Sequence, residues 1–145
     1  MRVTAGSPIV AFFEQTFIND YFDYFYQYRT DTGFKVLFTY TVATDEIIIV
    51  DFAYVIASTS ATPTSGSIST NFAFRKSLDT QGIYVPFALH RVDWPGSVVS
   101  GQFIWYPNLV IGPGRTIYAV GYSDLSGVQV YHGAGIHFRR YKLKL

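Results

Sequence analysis

Histidines, acids and glycine-containing turns are the residues through which this sequence could carry out chemistry. The chain has three histidines, His90, His132 and His137, and no cysteine. The last two flank Gly133–Gly135, and a hairpin turn there would place their imidazoles opposite each other on two strands. A zinc ion would need a third ligand, which neither a cysteine nor a nearby carboxylate supplies. We therefore expect no metal site, and we expect these two histidines to pack as cross-strand partners.

Other segments resemble catalytic motifs but lack a defining residue. The segment Gly121–Leu125 (GYSDL) places a serine as a nucleophile elbow does, but it ends in leucine instead of glycine and no helix is expected after it. The segment Gly112–Arg115 (GPGR) lacks the Lys-Ser/Thr pair and the helix of a phosphate-binding loop. The acids Asp45, Glu46 and Asp93 form no constrained pair of the glycosidase type. The sequence therefore predicts no catalytic residue and no cofactor, and we expect a protein that is not an enzyme.

Strand-forming residues dominate the segments that would position any site. Runs of valine, isoleucine, phenylalanine, tyrosine and threonine alternate with turns that contain glycine or proline. Seven or eight strands are expected at this spacing. They are Lys35–Val42, Ile47–Ala57, Ile68–Lys76, Ile83–Val92, Phe103–Ile111, Arg115–Tyr122, Val128–His132 and Ile136–Tyr141. The predicted fold is all-β, an antiparallel β-sandwich or a single jelly-roll barrel.

The segment before the first predicted strand follows a different pattern. Its aromatic residues recur at steps of three and four, with polar residues between them, and the charged ones among these are acidic. The aromatic residues include Phe13, Phe17, Tyr21 and Phe25. This spacing is typical of one face of a helix, although phenylalanine and tyrosine favour strands. We predict an N-terminal segment over residues 1–28, made of a flexible arm at residues 1–8 and an amphipathic helix or helix-like arm at residues 9–28. This helix would contact the sheet or a neighbouring subunit. One β-sandwich domain follows over residues 29–145.

Charge is sparse and unevenly distributed. Charged residues make up 14% of the 145 residues and aromatic residues 19%, with a formal net charge of +1. This balance argues against a general nucleic-acid or anionic-membrane binder, and it is typical of a surface that other subunits cover. Acids concentrate in residues 14–51 and basic residues in residues 139–144. Arg139 and Arg140 could therefore meet the acidic segment of a neighbouring subunit, or that of their own chain.

Two irregularities within the predicted strands need a structural explanation. Asp51 interrupts an apolar strand, and a buried carboxylate is costly unless it is paired. We expect it to bind an arginine or a backbone turn. Near the end of the sequence, the apolar series shifts by one residue between Phe138 and Tyr141, which predicts a β-bulge near Arg139 and Arg140.

Three large aromatic residues suggest a ligand site. Trp94 lies next to Pro95, and Trp105 and Tyr106 lie just before Pro107, so each could sit at a corner of the sandwich. Flat rings at such a rim could stack on the apolar faces of sugars. The alternative is that the tryptophans are core anchors, since large aromatic side chains are highly buried on average.

Parts of the sequence resemble small β-sandwich structural proteins of bacterial viruses. The segment Leu37–Ala53, with a corner at Asp45 and Glu46, is similar to their opening hairpin. The segments Pro107–Tyr118 and Gly133–Phe138 are similar to their closing strands. The resemblance implies a capsid, capsid-decorating, tail or spike component that forms homo-oligomers, contacts other virion proteins and catalyses no reaction.

The first residues lack the apolar core of a signal peptide, and no run of residues is apolar enough over ~18 positions to span a membrane. The protein is therefore expected to be made in the cytoplasm and to stay there or to leave it inside something larger, which the resemblance implies is a virion. Two functions stay open at this point. One is a self-assembling virion structural protein, as a trimer, a pentamer or a larger shell. The other is a carbohydrate- or receptor-binding β-sandwich module of a tail or spike.

Overall fold

Nine β-strands make up the part of the chain that the computed structural model describes, which is residues 14–75, 84–99 and 103–144. They are β1 (Glu14–Arg29), β2 (Gly33–Thr41), β3 (Glu46–Thr59), β4 (Gly66–Arg75), β5 (Tyr84–Trp94), β6 (Ser97–Val99), β7 (Phe103–Ile111), β8 (Thr116–Ser123) and β9 (Val130–Lys144). Within these ranges no residue is helical. The predicted all-β class is confirmed.

The strands form two antiparallel sheets that enclose one main core. Sheet A has the order β1-β9-β3-β7, and sheet B has the order β2-β8-β4-β5-β6. The short strand β6 pairs only with the end of β5. The other strands pair as β1 with β9, β2 with β8, β3 with β7 and β4 with β5. This is one long hairpin wound into two layers, which is the connectivity of a jelly roll.

Apolar side chains from the inner faces of both sheets fill the space between them. Fully buried residues of sheet A include Val50, Ala53 and Phe138, and those of sheet B include Phe72 and Ile117. A shift of register at Asp51 explains why Val50 and Ala53 both face inward, because an extra residue in a strand reverses the alternation of its side chains. The bulge therefore keeps the strand in the core on both sides of an acid.

Strand β1 corrects the prediction of an N-terminal helix. Residues 14–29 pair with β9 along their length, so residues 14–28 of the predicted arm belong to sheet A. Aromatic residues occupy both alternating positions of this strand, and together they imitate helical spacing. A register shift at Ile18 turns Phe17 outward, whereas Tyr21 and Phe25 pack on the inner aromatic side chains. Phe13 lies outside the described residues.

Strand β9 corrects a second prediction, because it runs straight through the expected turn at Gly133–Gly135. Both glycines pair with β1 on one side and with β3 on the other. His132 and His137 are therefore on opposite faces of one strand, not partners across a hairpin. The irregularity expected near Arg139 lies in the neighbouring strands, at Ile18 and Asp51, while β9 continues without a break.

Two buried histidines connect the sheets. The backbone N–H of Ala57 in sheet A donates to His90 Nδ1 in sheet B at 2.8 Å. Thr70 Oγ1 in sheet B lies 2.9 Å from His132 Nδ1 in sheet A. Burial lowers the pKa of His90. Burial, with a smaller effect of the Arg29 cation, lowers the pKa of His132 to about 4. Both rings are therefore neutral near pH 7, and each joins one layer to the other.

We predict that the sandwich loses stability in mild acid through His132. Its pKa is about 4 in the folded protein against 6.5 without burial, so the unfolded chain binds a proton that the folded chain excludes. The stabilisation is complete above pH 6.5 and falls as the pH drops from 6.5 to 4, by up to about 3 kcal/mol.

Urea denaturation at a series of pH values tests this prediction, with His132→Gln as the comparison. Carboxylates titrate in both proteins, so the difference between the two curves isolates the histidine. We expect the unfolding free energy of the variant to change less between pH 6.5 and 4. Parallel curves would contradict the prediction.

Candidate functional site on the outer face of sheet A

Exposed and half-buried aromatic side chains cover much of the outer face of sheet A. We call this surface the aromatic face. Its members are Phe17, Phe22, Tyr24, Tyr26, Tyr28, Phe52, Tyr54 and Tyr131. Phe22 is 65% exposed, Tyr26 66% and Tyr28 59%, which is far above the exposure of a core ring. Large apolar side chains grouped on a surface in this way mark a site of interaction.

Strand β1 supplies most of the aromatic face through simple alternation. After the register shift at Ile18, every second side chain points outward, and four successive outward positions are aromatic. They are Phe22, Tyr24, Tyr26 and Tyr28. Their rings contact those of neighbouring strands, with centroid distances of 6.0 Å for Phe22 to Phe52 and 5.0 Å for Tyr28 to Tyr131. The rings therefore form one connected layer.

Two glycines of β9 leave room for that layer to lie close to the sheet. A Cβ atom at Gly133 would come within 2.5 Å of the Tyr24 hydroxyl oxygen and 3.0 Å of the Tyr131 hydroxyl oxygen. A Cβ atom at Gly135 would lie 3.2 Å from Tyr24 Cδ2. The hydroxyls of Tyr24 and Tyr131 are hydrogen-bonded to each other above Gly133. Burial and this hydrogen bond raise the pKa of Tyr24.

A group of charged side chains borders the aromatic face and joins three strands. The Asp51 carboxylate lies 3.1 Å from Arg139 Nη2 and 2.9 Å from His137 Nδ1, and His137 Nε2 lies 3.4 Å from Asp20 Oδ1. The His137 ring also stacks on Phe52, with a centroid distance of 5.5 Å. The prediction that Asp51 binds an arginine is confirmed. This group links β1, β9 and β3.

Two other basic residues near the end of the sequence, Arg140 and Lys142, also have acidic partners within the chain. Arg140 Nη2 lies 2.9 Å from Oε1 and 3.1 Å from Oε2 of the buried Glu46. Lys142 Nζ lies 2.6 Å from Asp45 Oδ2. Of the two alternatives for Arg139 and Arg140, the structure shows the contact with the acidic segment of the same chain.

The remaining predicted site residues lie on strands of two different sheets. Trp94 ends β5 in sheet B, where it is half-buried and packs on the cluster that contains Ile68 and Val130. Trp105 and Tyr106 lie on β7 in sheet A, and their side chains are outside the described part. The two tryptophans therefore belong to different sheets.

Of the four aromatic residues predicted as subunit contacts, Phe17 is the one described as exposed, at 51%. Tyr21 packs inside on Phe138, with a centroid distance of 4.6 Å, and Phe25 packs on Phe38 at 4.3 Å. The strictly alternating aromatics of residues 22–28 were missed. A period of two is visible there in the sequence, but the steps of three and four among the same rings obscured it.

Comparison of the chain with protein-family models, curated proteins and solved structures finds no match. Among the described residues, no group of three or more histidine and acidic side chains could hold a metal ion. In the same ranges, no helix is long and apolar enough to cross a membrane. The geometry of the chain itself is therefore the basis for a functional proposal.

We predict that Gly133→Ala destabilises the protein by about 1–3 kcal/mol, because the new methyl group would displace the Tyr24 and Tyr131 hydroxyls. Gly135→Ala is the matched control on the same strand, and it should cost less because the atom nearest to its methyl group is Tyr24 Cδ2 at 3.2 Å, while the next nearest lie at ordinary contact distances. Urea denaturation measures both changes. Equal effects of the two substitutions would contradict this account of the face.

We predict that Asp51→Ala destabilises the protein by about 1–3 kcal/mol, because it leaves the half-buried Arg139 without its carboxylate. Asp20→Ala is the control, since Asp20 is more exposed and its carboxylate is farther from His137. Its loss should cost less than about 1 kcal/mol. Denaturation at neutral pH compares the variants, and similar losses would show that the group does not depend on Asp51.

Proposed function

We propose that this protein is a non-enzymatic structural subunit of a viral particle, and that it assembles by contact of the aromatic face with further copies of the same chain. The observation that carries the proposal is the row of four outward aromatic side chains on β1, three of them about 60% exposed or more. The jelly-roll connectivity supports a virion context, because capsid domains are one of the groups that use it. Since a fold alone does not specify a function, the exposed surface carries the greater weight.

Removing these rings from water would drive association. Burying one large apolar side chain contributes about 1.5–3 kcal/mol, so a contact that covers several of them can offset the loss of freedom on binding. Tyrosines are well suited to such a surface, because their hydroxyls remain hydrated before contact and their rings pack afterwards. Aromatic residues are also enriched at the centres of interfaces between proteins.

A second copy of the chain is the partner that fits the charges on this surface. The Asp51 carboxylate is ion-paired with Arg139 beside the rings, so this pair adds no net charge to the surface that an identical face would meet. In a contact around a two-fold axis, the same patch must be complementary to itself. An uncharged layer of rings meets this condition, because aromatic rings pack with one another in offset or edge-on arrangements.

The low charge of the sequence favours contacts with more than one neighbouring subunit. Charged residues are 14% of the chain, and in the described part many of them are engaged in ion pairs. Such a surface is suited to contacts with several neighbours, as in a trimer, a pentamer or a larger shell with other virion proteins. The location that follows is the virion, after synthesis in the host cytoplasm.

We predict that the double variant Phe22→Ser, Tyr26→Ser shifts the assembly toward single chains. Size-exclusion chromatography with light scattering over a concentration series measures the effect. The wild-type mass should exceed one chain and rise with concentration, and the variant should associate at least about tenfold more weakly.

Phe34→Ser is the matched control, because Phe34 is 73% exposed and lies on sheet B, away from the aromatic face. Its association should remain that of the wild type. A wild-type protein that stays a single chain at its highest soluble concentration would overturn the proposal. If Phe34→Ser weakened association as much as the double variant, the aromatic face would not be the contact surface.

A further inference from the structure

The outer face of sheet B contains a depression of about 430 Å³ with a polar floor, which we call the trough. It is lined by Phe34, Ser67, Ser69, Asn71, Leu89, Arg91 and Tyr122. The trough lies on the opposite sheet from the aromatic face. It combines exposed rings with hydroxyl, amide and guanidinium groups, and the proposed assembly contact uses none of these.

The register of sheet B builds the trough from four adjacent strands. Phe34, Tyr122, Ser69 and Arg91 form one row across β2, β8, β4 and β5. With strands about 4.8 Å apart, the row spans about 14 Å. Short side chains on the central strand β4 form the floor, and larger side chains on either side form the walls. The shape is therefore a channel along β4.

The floor offers hydrogen-bonding groups that the protein does not use. In the part of the chain that the structure describes, neither the Ser69 hydroxyl nor the Asn71 amide has a hydrogen-bond partner. Polar groups that converge on a concave surface orient a bound ligand. Arg91 Nε lies 3.0 Å and 3.2 Å from the two carboxylate oxygens of Asp93, so its charge is already balanced.

One wall of the trough is aromatic. The rings of Phe34 and Tyr122 lie 4.8 Å apart and are tilted by 44°, and Phe34 is 73% exposed. A sugar ring has an apolar C–H face that packs on an aromatic ring, and hydroxyls at its edge that bond to groups such as those of Ser69 and Asn71. A flat protein surface would cover the rings without reaching the sunken floor.

We propose that the trough binds a neutral glycan, with a sugar ring on Tyr122 and Phe34 and its hydroxyls on Ser69 and Asn71. The neutral class follows from the paired charges of Arg91 and Asp93, which leave the trough without net charge. The length of the row across the sheet suits a short oligosaccharide. A structural subunit with this site would attach the assembly to a carbohydrate surface.

The test is an NMR titration of the full chain with a panel of neutral oligosaccharides, made of gluco-, manno-, galacto- and N-acetylglucosamine types, each with a charged analogue. At least one neutral sugar should bind with millimolar or better affinity and shift the resonances of the trough. Asn71→Ala and Tyr122→Ala should each weaken that binding at least about tenfold. Tyr122→Phe keeps the ring and should retain it.

Tyr26→Ser is the control on sheet A and should bind the sugar as the wild type does, whatever its effect on assembly. The experiment can therefore contradict the glycan proposal and the assembly proposal independently of each other. Absence of binding across the panel would overturn the glycan proposal, as would binding that Asn71→Ala and Tyr122→Ala leave unchanged while both variants remain folded. Tighter binding of a charged analogue would overturn the neutral class. If no sugar binds and the same variants instead lose binding to a protein, the glycan proposal is overturned and the trough is a protein-binding site.

Discussion

Strand β9 holds sheet A together, because it pairs with β1 along one edge and with β3 along the other. Its inner side chains include Phe138 in the core and His132 between the layers. Its outer positions include Gly133 and Gly135, over which the rings of the aromatic face lie. One strand therefore determines the packing of the core, the link between the sheets and the shape of the outer surface.

Much of the fold could be predicted from the sequence, since alternation and turn residues specify strands locally. Strand β7 has the bounds that the sequence predicted. Two predictions were wrong, namely a helix in what is strand β1 and a turn in what is strand β9. They have a common cause, because the residue pattern of each strand depends on the strands that it pairs with. In β1 aromatic residues occupy both faces, and in β9 glycine marks a close approach of tyrosines instead of a turn. Long-range pairing decides such cases, and local propensity does not contain that information.

The candidate sites were less predictable than the fold, for a related reason. The sequence indicated a partner for Asp51, because a carboxylate among apolar residues has few physical solutions. It did not indicate the row from Phe34 to Arg91, whose members come from four strands and meet only through their register. Nor did it indicate that Tyr21 faces inward and Phe22 outward, because the register shift at Ile18 decides which of the two alternating positions faces the core. The two outer surfaces thus arise from pairing between distant segments.

The pairing of the first described strand with the last has a consequence for biosynthesis. Strand β1 leaves the ribosome before the other described strands, and β9, which covers its edge, is translated after them. During this interval an aromatic-rich segment is exposed, and closing so long a loop makes folding slow. Nascent chains translated from one messenger RNA would then expose their unpaired aromatic segments close to one another, where these segments can associate. Timely engagement by a chaperone would decide between productive maturation and aggregation.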